Sequence, residues 1–438
     1  MQKKEIIKQI IRSFQEKALP DIIARSKSLP LDSQKIISLT GVRRSGKTYL
    51  LYDTIRRLLN RGVDKTNILF LNFEDERLEL STEELDLILQ AWRELHNGVI
   101  SDEHYLFFDE IQNIPSWEKF VRRIYDTETR NIFITGSNSV FLSTDIATSL
   151  RGRTLTYELF PFSFAEYVRF KKIPLDYYVE TNKVRLLNSF KEYLLKGGFP
   201  ETINRTQDES IEILRTYFFA MLYKDIIERY QIKETQVLKY FIKRLAGNLT
   251  KNFSVNKIYN ELRSQGYKLD KNLLYEYLQY VQNVYLALTT SKYDYSLIKR
   301  SNSLKKVYFV DNGLINTIAS GFSQDLGKLF ENAVYLFLRT HFGSVYEENI
   351  FYYKNRYECD FIVTELGKIK YCMQASYDIS DKTTLDREVR GLVHTLKKFD
   401  LKTGYILTFD EENLIKIDDY EIIIKPAYKF FLETKKKY

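Results

Sequence analysis

Eight consecutive residues constrain this chain more than any others: Gly41-Val42-Arg43-Arg44-Ser45-Gly46-Lys47-Thr48. The apolar run before them, residues 35–39 (KIISL), reads as a strand. Tyr49, Leu50 and Leu51 behind them open an apolar pattern of helical period that continues to Leu58 and Leu59. Strand, glycine loop and helix in that order demand an α/β fold. Gly41 and Gly46 let the backbone curl until its N–H groups face one point, where the helix dipole also favours an anion. The spacing G-x-x-x-x-G-K-T is that of loops that cradle the phosphates of a nucleoside triphosphate. Lys47 is placed to bridge the β- and γ-phosphates, and the Thr48 hydroxyl to hold Mg2+. A chance glycine-rich turn is the alternative; both flanks argue against it.

A second half of such a site is legible downstream. Tyr105-Leu106-Phe107-Phe108-Asp109-Glu110 is an apolar strand ending in two acids. Asp109 would bind Mg2+ through water, and Glu110 would be the general base that polarises the attacking water. A third strand, 131–135, ends in Gly136-Ser137-Asn138. Ser137 and Asn138 would contact the γ-phosphate or the water, although both also favour helix N-caps. Arg151 and Arg153 flank Gly152 behind a short predicted helix. Guanidinium groups there would neutralise charge on a transferring phosphoryl group, on a neighbouring subunit's nucleotide if the chain oligomerises. Their alternative is a surface turn paired with nearby acids.

Composition narrows the setting. A length of 438 residues fits two to four domains, and 44% hydrophobic residues is ordinary for a water-exposed globular chain. Two cysteines, Cys359 and Cys372, and four histidines leave no zinc-ligand spacing and no disulfide framework. Residues 1–5 (MQKKE) precede an amphipathic helix, with no apolar signal region, and no stretch approaches the ~18–20 apolar residues of a membrane span. The expectation is a cytoplasmic prokaryotic protein without a membrane partner. Seven prolines and 17 glycines, with no repeats, argue for closely packed domains. The Phe/Tyr-rich stretch 162–230 reads as helical core.

The ordered motifs GVRRSGKT, YLFFDEIQNI, NIFITGSNS and ATSLRGRTLTYELFPFSFAEY resemble a family of bacterial and archaeal AAA-type ATPases with a C-terminal module of unknown function. Lys196-Gly197-Gly198-Phe199-Pro200 and the run from Lys306 to Leu314 (KVYFVDNGL) extend the resemblance over nearly the whole chain. It implies a P-loop core in which an additional strand enters a parallel sheet, then a winged helix-turn-helix and a restriction-endonuclease-like α/β domain. Ser137 and Asn138 would then occupy the sensor position of that family.

Charge supports the middle piece independently. Residues 236–311 carry 13 Lys/Arg against 5 Asp/Glu, a net +8 that equals the net charge of the whole chain. Ser254 would cap one short helix and Asp270 a second from Lys271 to Val281, with Gln265-Gly266-Tyr267 turning between them. Strands 286–290 and 307–310 would flank a basic loop, 298–306. That is the order of a winged helix, whose wing touches phosphates in nucleic-acid binders and packs against protein in others.

Residues 324–438 alternate helix and strand, similar to the PD-(D/E)XK nuclease fold, with Glu331 on the first helix and Asp360 on a strand. Gln374 stands where a third acid is needed and Ser376 where a lysine is needed, so the fold looks kept and the chemistry lost. Glu358 or Glu365 would be substitutes for the acid, and Lys354 or Lys370 for the lysine. The expected partition is 1–30 N-terminal helix, 31–165 ATPase core, 166–235 helical connector, 236–318 winged helix and 319–438 nuclease-like domain. The expected function is an ATPase, with ATP and Mg2+, that rearranges its C-terminal DNA- or partner-binding modules. An ATP-gated nuclease or DNA-processing factor, and a non-hydrolysing nucleotide switch in signalling or defence, are the alternatives.

Overall fold

Five strands form one parallel sheet in the first of two units, residues 1–159. They are β1 (Ile36–Thr40), β2 (Ile68–Asn72), β3 (Tyr105–Asp109), β4 (Ile132–Gly136) and β5 (Thr154–Glu158), in the order β2-β3-β4-β1-β5. The order makes this a P-loop NTPase core, with β4 entering between β1 and β3. The computed structural model describes residues 2–96, 98, 100–138, 149–319, 325–344 and 347–434.

Strands covered on both faces must be apolar on both, and every residue of β1 and β4 is buried. Ile37 and Leu39 of β1 pack on Leu50, Leu51, Ile55 and Leu58 of α2 (Lys47–Asn60). On the opposite face Ile36 joins Ile7 and Ile11 of α1 (Gln2–Glu16), Trp92 of α3 (Asp86–His96) and Phe120 of α4 (Trp117–Thr127). Register sets the ends of the strands side by side: Thr40 faces Gly136, and Asn72 faces Asp109. The loops that follow β1, β3 and β4 therefore emerge along one edge.

The second unit, residues 160–438, opens with helices α5 (Phe164–Phe170), α6 (Glu180–Lys196) and α7 (Gln207–Ala220), the last running into a π-helical turn, Met221–Glu228. Much of its aromatic stripe is core, with Phe164 and Phe190 buried and their ring centroids 4.9 Å apart, whereas Tyr178, Phe219 and Tyr223 are exposed. Next come α8 (Thr235–Gly247), β6 (Asn252–Phe253), α9 (Val255–Ser264), α10 (Lys271–Asn283), β7 (Ala287–Thr290), α11 (Leu297–Ser301) and β8 (Lys305–Phe309). The three strands pair antiparallel in the order β6-β8-β7. Asp270 caps α10 by accepting the Asn272 N–H at 2.9 Å. Ser254 precedes α9 without a side-chain cap bond. Stretch 298–306 differs from the expected basic loop: α11, capped by Ser296, runs into it as far as Ser301, and β8 already starts at Lys305.

After α12 (Asn312–Ile318) and α13 (Leu326–His341) the chain builds a six-stranded mixed sheet, β13-β14-β12-β11-β10-β9. Its strands are β9 (Ile350–Lys354), β10 (Glu358–Glu365), β11 (Lys368–Ala375), β12 (Thr403–Thr408), β13 (Asn413–Ile417) and β14 (Tyr420–Pro426). Helix α14 (Lys382–Phe399) buries Leu392 and Leu396 against Ile362, Ile406 and Ile422, and α15 (Ala427–Glu433) follows β14. No described helix is long and apolar enough to cross a membrane.

Two segments far apart in sequence meet in this unit. Asp311 caps α12 by accepting the Leu314 N–H at 3.1 Å, and its other carboxylate oxygen accepts the Gly198 N–H at 2.6 Å. Gly197 ends α6 at φ +80°, and a Cβ there would stand 2.1 Å from an Asp311 oxygen. The glycine pair after Lys196 is thus the seat of Asp311.

Candidate functional site

The phosphate-loop residues lie between β1 and α2, at the carboxyl edge of the sheet. Gly46 precedes α2 at φ +96°, a left-handed turn that aims the first N–H groups of the helix into the loop. The Lys47 side chain is buried, its Nζ donating to Gly41 O at 3.2 Å and pairing with Glu110 Oε1 at 3.1 Å. Arg43 pairs with Glu74 at 2.8 Å, and Arg44 holds a left-handed backbone (φ 67°). The Ser45 hydroxyl is buried without a hydrogen-bond partner among the described residues, and Val42 is fully buried. Arg25 reaches in from the segment before β1 and donates to Ser45 O at 2.7 Å. Nothing in the sequence singled it out, because it contacts a backbone carbonyl twenty residues away.

The two acids stand opposite. Thr48 Oγ1 donates to Asp109 Oδ2 at 2.7 Å, and Thr135 Oγ1 donates to Asp109 Oδ1 at 2.6 Å. Burial raises Asp109 to about 6, with the Glu110 charge adding to the rise. Glu110 follows β3 with a left-handed backbone (φ 52°), and its N–H donates to Thr135 Oγ1 at 2.9 Å. Burial pushes its carboxyl up, but the Lys47 charge and the Gln112 and Lys47 hydrogen bonds hold it below its ordinary value. Gln112 Nε2 donates to Glu110 Oε2 at 2.5 Å and to Ser137 Oγ at 3.4 Å. Ser137 and Asn138 follow β4 in the interior, and Asn138 O accepts from Thr40 Oγ1 at 3.2 Å. Lys47, Thr48, Asp109, Glu110 and Ser137 are therefore one connected group, and Gln112 is a member that strand patterning does not reveal.

This donor set suits ATP and Mg2+. Thr48 and Asp109 place a hydroxyl and a carboxylate together at a helix N-terminus, hard oxygen ligands beside an anion cradle. Arg151 and Arg153 are elsewhere. They precede β5, whose Thr154 faces Ile36 at the start of β1, whereas the phosphate loop follows the end of β1. Five parallel residues, at about 3.3 Å each, separate that edge of the sheet from the phosphate loop. Arg153 Nε and Nη2 donate to Asp126 at 2.9 and 3.2 Å. The short helix expected before Arg151 falls mainly on 139–148, outside the described residues.

Two expectations for the second unit need correction. Of the four cations in the expected basic loop 298–306, namely Lys299, Arg300, Lys305 and Lys306, only Lys299 is exposed. Arg300 donates to Asp294 O at 2.9 Å and lies 4.5 Å from the Phe351 ring centre, while Lys305 is half-buried. Lys306 is buried and pairs with Glu331, Glu358 and Asp360 at 3.2, 2.9 and 3.0 Å. The second correction follows from the same side chain: the lysine that meets Glu331, Glu358 and Asp360 together is supplied by β8, and neither Lys354 nor Lys370 takes that place. Lys370 pairs with Glu365, and Lys354 pairs with Glu358 at 2.7 Å. Gln374 clips backbone, accepting the Asp360 N–H at 2.8 Å and donating to Glu358 O at 2.9 Å. Ser376 donates to Asp378 O at 3.1 Å.

Comparison with known proteins agrees with the core. Residues 33–168 match the family model of an AAA domain, and residues 187–325 match a domain of unknown function, DUF8612. Fold, loop and paired acids define an AAA-type P-loop ATPase core. The uncharacterized protein MJ1544 of Methanocaldococcus jannaschii is 36% identical over 422 residues, covering 94% of this chain and 91% of that protein. An uncharacterized protein of Haemophilus influenzae is 29% identical over 399 residues, covering 90% and 93% respectively. The chain belongs to the MJ1544 family of AAA-domain proteins. Among solved structures, AMPPCP-bound DnaA from Aquifex aeolicus aligns over 64% of this chain and 86% of its own, at 15% identity and a TM-score of 0.25, too low to support any inference.

Proposed function

We propose that the chain binds ATP at residues 41–48 and hydrolyses it, and that the cycle rearranges its C-terminal modules. The observation carrying this reading is the connection of Lys47, Thr48, Asp109, Glu110 and Ser137 along one sheet edge. Lys47 leaves its pairing with Glu110 to meet the β- and γ-phosphates. Glu110, kept ionised near neutral pH, then takes the proton of the attacking water, while Ser137 and Asn138 orient that water or the γ-phosphate. Thr48 and Asp109 would hold Mg2+, which would neutralise phosphate charge. At least one of Arg151 and Arg153 acts on the nucleotide of a neighbouring copy.

The partition proposed is 1–30, 31–165, 166–235, 236–318 and 319–438. Residues 236–318 are read as a winged-helix segment, supported by α9, α10 and the β6-β8-β7 sheet. Exposed Lys257, Arg263 and Lys268 are its candidate phosphate contacts to nucleic acid. Residues 319–438 are read as a nuclease-like domain without nuclease chemistry, supported by its mixed sheet and helices α13 and α14.

Phosphate release and ATP binding by Lys47→Ala and Glu110→Gln test the core of the reading. Lys47→Ala is expected to weaken ATP binding. Glu110→Gln is expected to keep binding and lose hydrolysis, since only the base is removed. Equal hydrolysis by wild type and Glu110→Gln overturns the role of Glu110; ATP bound but never cleaved by wild type would make the chain a nucleotide switch.

A further inference from the structure

Lys306 and the three carboxylates around it come from three elements that the chain joins only in its folded state. Lys306 projects from the middle strand of the β6-β8-β7 sheet, with 4% of its side chain exposed. Glu331 comes from α13, and Glu358 and Asp360 come from β10. An ammonium has three N–H donors and no acceptor. Here three carboxylates lie at 2.9–3.2 Å from Nζ, which donates hydrogen bonds to Glu331 and Asp360 and forms an ion pair with Glu358.

Further donors converge on the same carboxylates, Tyr308 on the very Glu331 Oε1 that meets Lys306. Asp360 Oδ2 accepts the Ala375 N–H at 3.1 Å, Glu358 Oε2 accepts from Lys354 at 2.7 Å, and Tyr308 donates to Glu331 at 3.1 Å. Beside the cluster opens a cavity of about 620 Å3, lined among others by Glu331, Glu358, Asp360 and Arg387. A cleft with three converging carboxylates is where a divalent cation would settle, bonded at about 2.0–2.6 Å to hard oxygens. The oxygens stand instead at ammonium distance, and among the described residues no set of acids has metal-ligand spacing.

We propose that Lys306 is the resident cation of this carboxylate cage, occupying the place of a divalent metal ion and closing the cleft to metal. Nζ and a metal ion require the same three oxygens, so occupancy by one excludes the other. Because Lys306 belongs to the three-stranded sheet and the acids to α13 and β10, the cage opens only if β8 withdraws. The carboxylates would then close in on a metal ion by roughly 1 Å, within reach of flexible glutamate side chains.

The test is Mn2+ binding by electron paramagnetic resonance on the full chain, in an Asp109→Asn background that silences the nucleotide site. With Lys306 present, no Mn2+ is expected that a further Asp360→Asn change removes. Lys306→Met is expected to gain one Mn2+, bound at least tenfold more tightly than by the parent and lost again with Asp360→Asn. Its thermal midpoint should rise with Mn2+, while that of the parent should not. One Mn2+ bound by the parent and abolished by Asp360→Asn overturns the proposal, and this measurement needs no lysine variant to fold. A folded Lys306→Met that gains no Mn2+ overturns it as well. If Lys306→Met folds only with Mn2+, the cage is supported; if it stays unfolded with Mn2+ while Lys306→Met/Asp360→Asn folds, the cage reading falls.

Discussion

Gln112 illustrates how much a single amide can carry at the residue scale. Its Nε2 ties the Glu110 carboxylate to Ser137, fixing the direction of the proposed base. Gln112→Ala is therefore expected to lower kcat by roughly 10-fold or more, short of the about 10²–10⁴-fold that a positioned general base contributes, with ATP affinity unchanged. Parallel phosphate-release and nucleotide-binding titrations check this, and a loss confined to affinity would count against it. Asp311 makes a separate prediction about pH. Burial raises its carboxyl from 3.8 to about 6, although Gly198 and Leu314 N–H groups pull the other way. Between those values the folded chain holds a proton that the unfolded chain has released, so stability falls as pH rises from about 4 to about 6. Relative to Asp311→Asn, which cannot ionise, wild type should lose on the order of 3 kcal/mol across that window. Urea unfolding of both proteins at each pH measures the difference; a flat difference would show that Asp311 titrates normally.

At the scale of elements, periodicity and punctuation carried far. The loop Gly41 to Thr48, α2, α10 with its Asp270 cap, and the apolar β1, β3 and β4 were all readable, because each is specified by neighbours a few residues apart. Short edge elements such as β13, with exposed Leu414, lack such a pattern and were not. The joint of α6 with α12 was visible only as two odd motifs. Gly197→Ala should destabilise the chain by about 2 kcal/mol or more, since it forces a Cβ into both a left-handed backbone and the Asp311 carboxylate. A midpoint unchanged in thermal denaturation would contradict that role. For the basic segment, reversing Lys257, Arg263 and Lys268 to Glu should weaken binding to all duplexes alike, and wild-type affinity should fall steeply with salt. Undiminished binding by the triple variant would move the segment to protein packing.

For the whole molecule, the proposed arginine fingers require an assembly. The sheet geometry separates Arg151 and Arg153 from their own phosphate loop, so mixing Arg151→Ala/Arg153→Ala protein with Lys47→Ala protein should restore part of the hydrolysis. Full activity in a protein that light scattering finds monomeric with ATP would refute action in trans. The C-terminal unit is expected not to cleave plasmid, linear or single-stranded DNA, or RNA, with Mg2+ or Mn2+ and ATP; cleavage abolished by Asp360→Ala would overturn this. The sequence by itself determined the nucleotide loop, the acids that face it and the α/β class of the core, because strand, turn and helix signals are local. Tertiary structure alone decided the fate of the basic run. Lys306 is one residue from half-buried Lys305, yet pleat alternation turns it inward to three acids 25, 52 and 54 residues away. A charge count treats both lysines alike, and only the packing of β8 against α13 and β10 separates them.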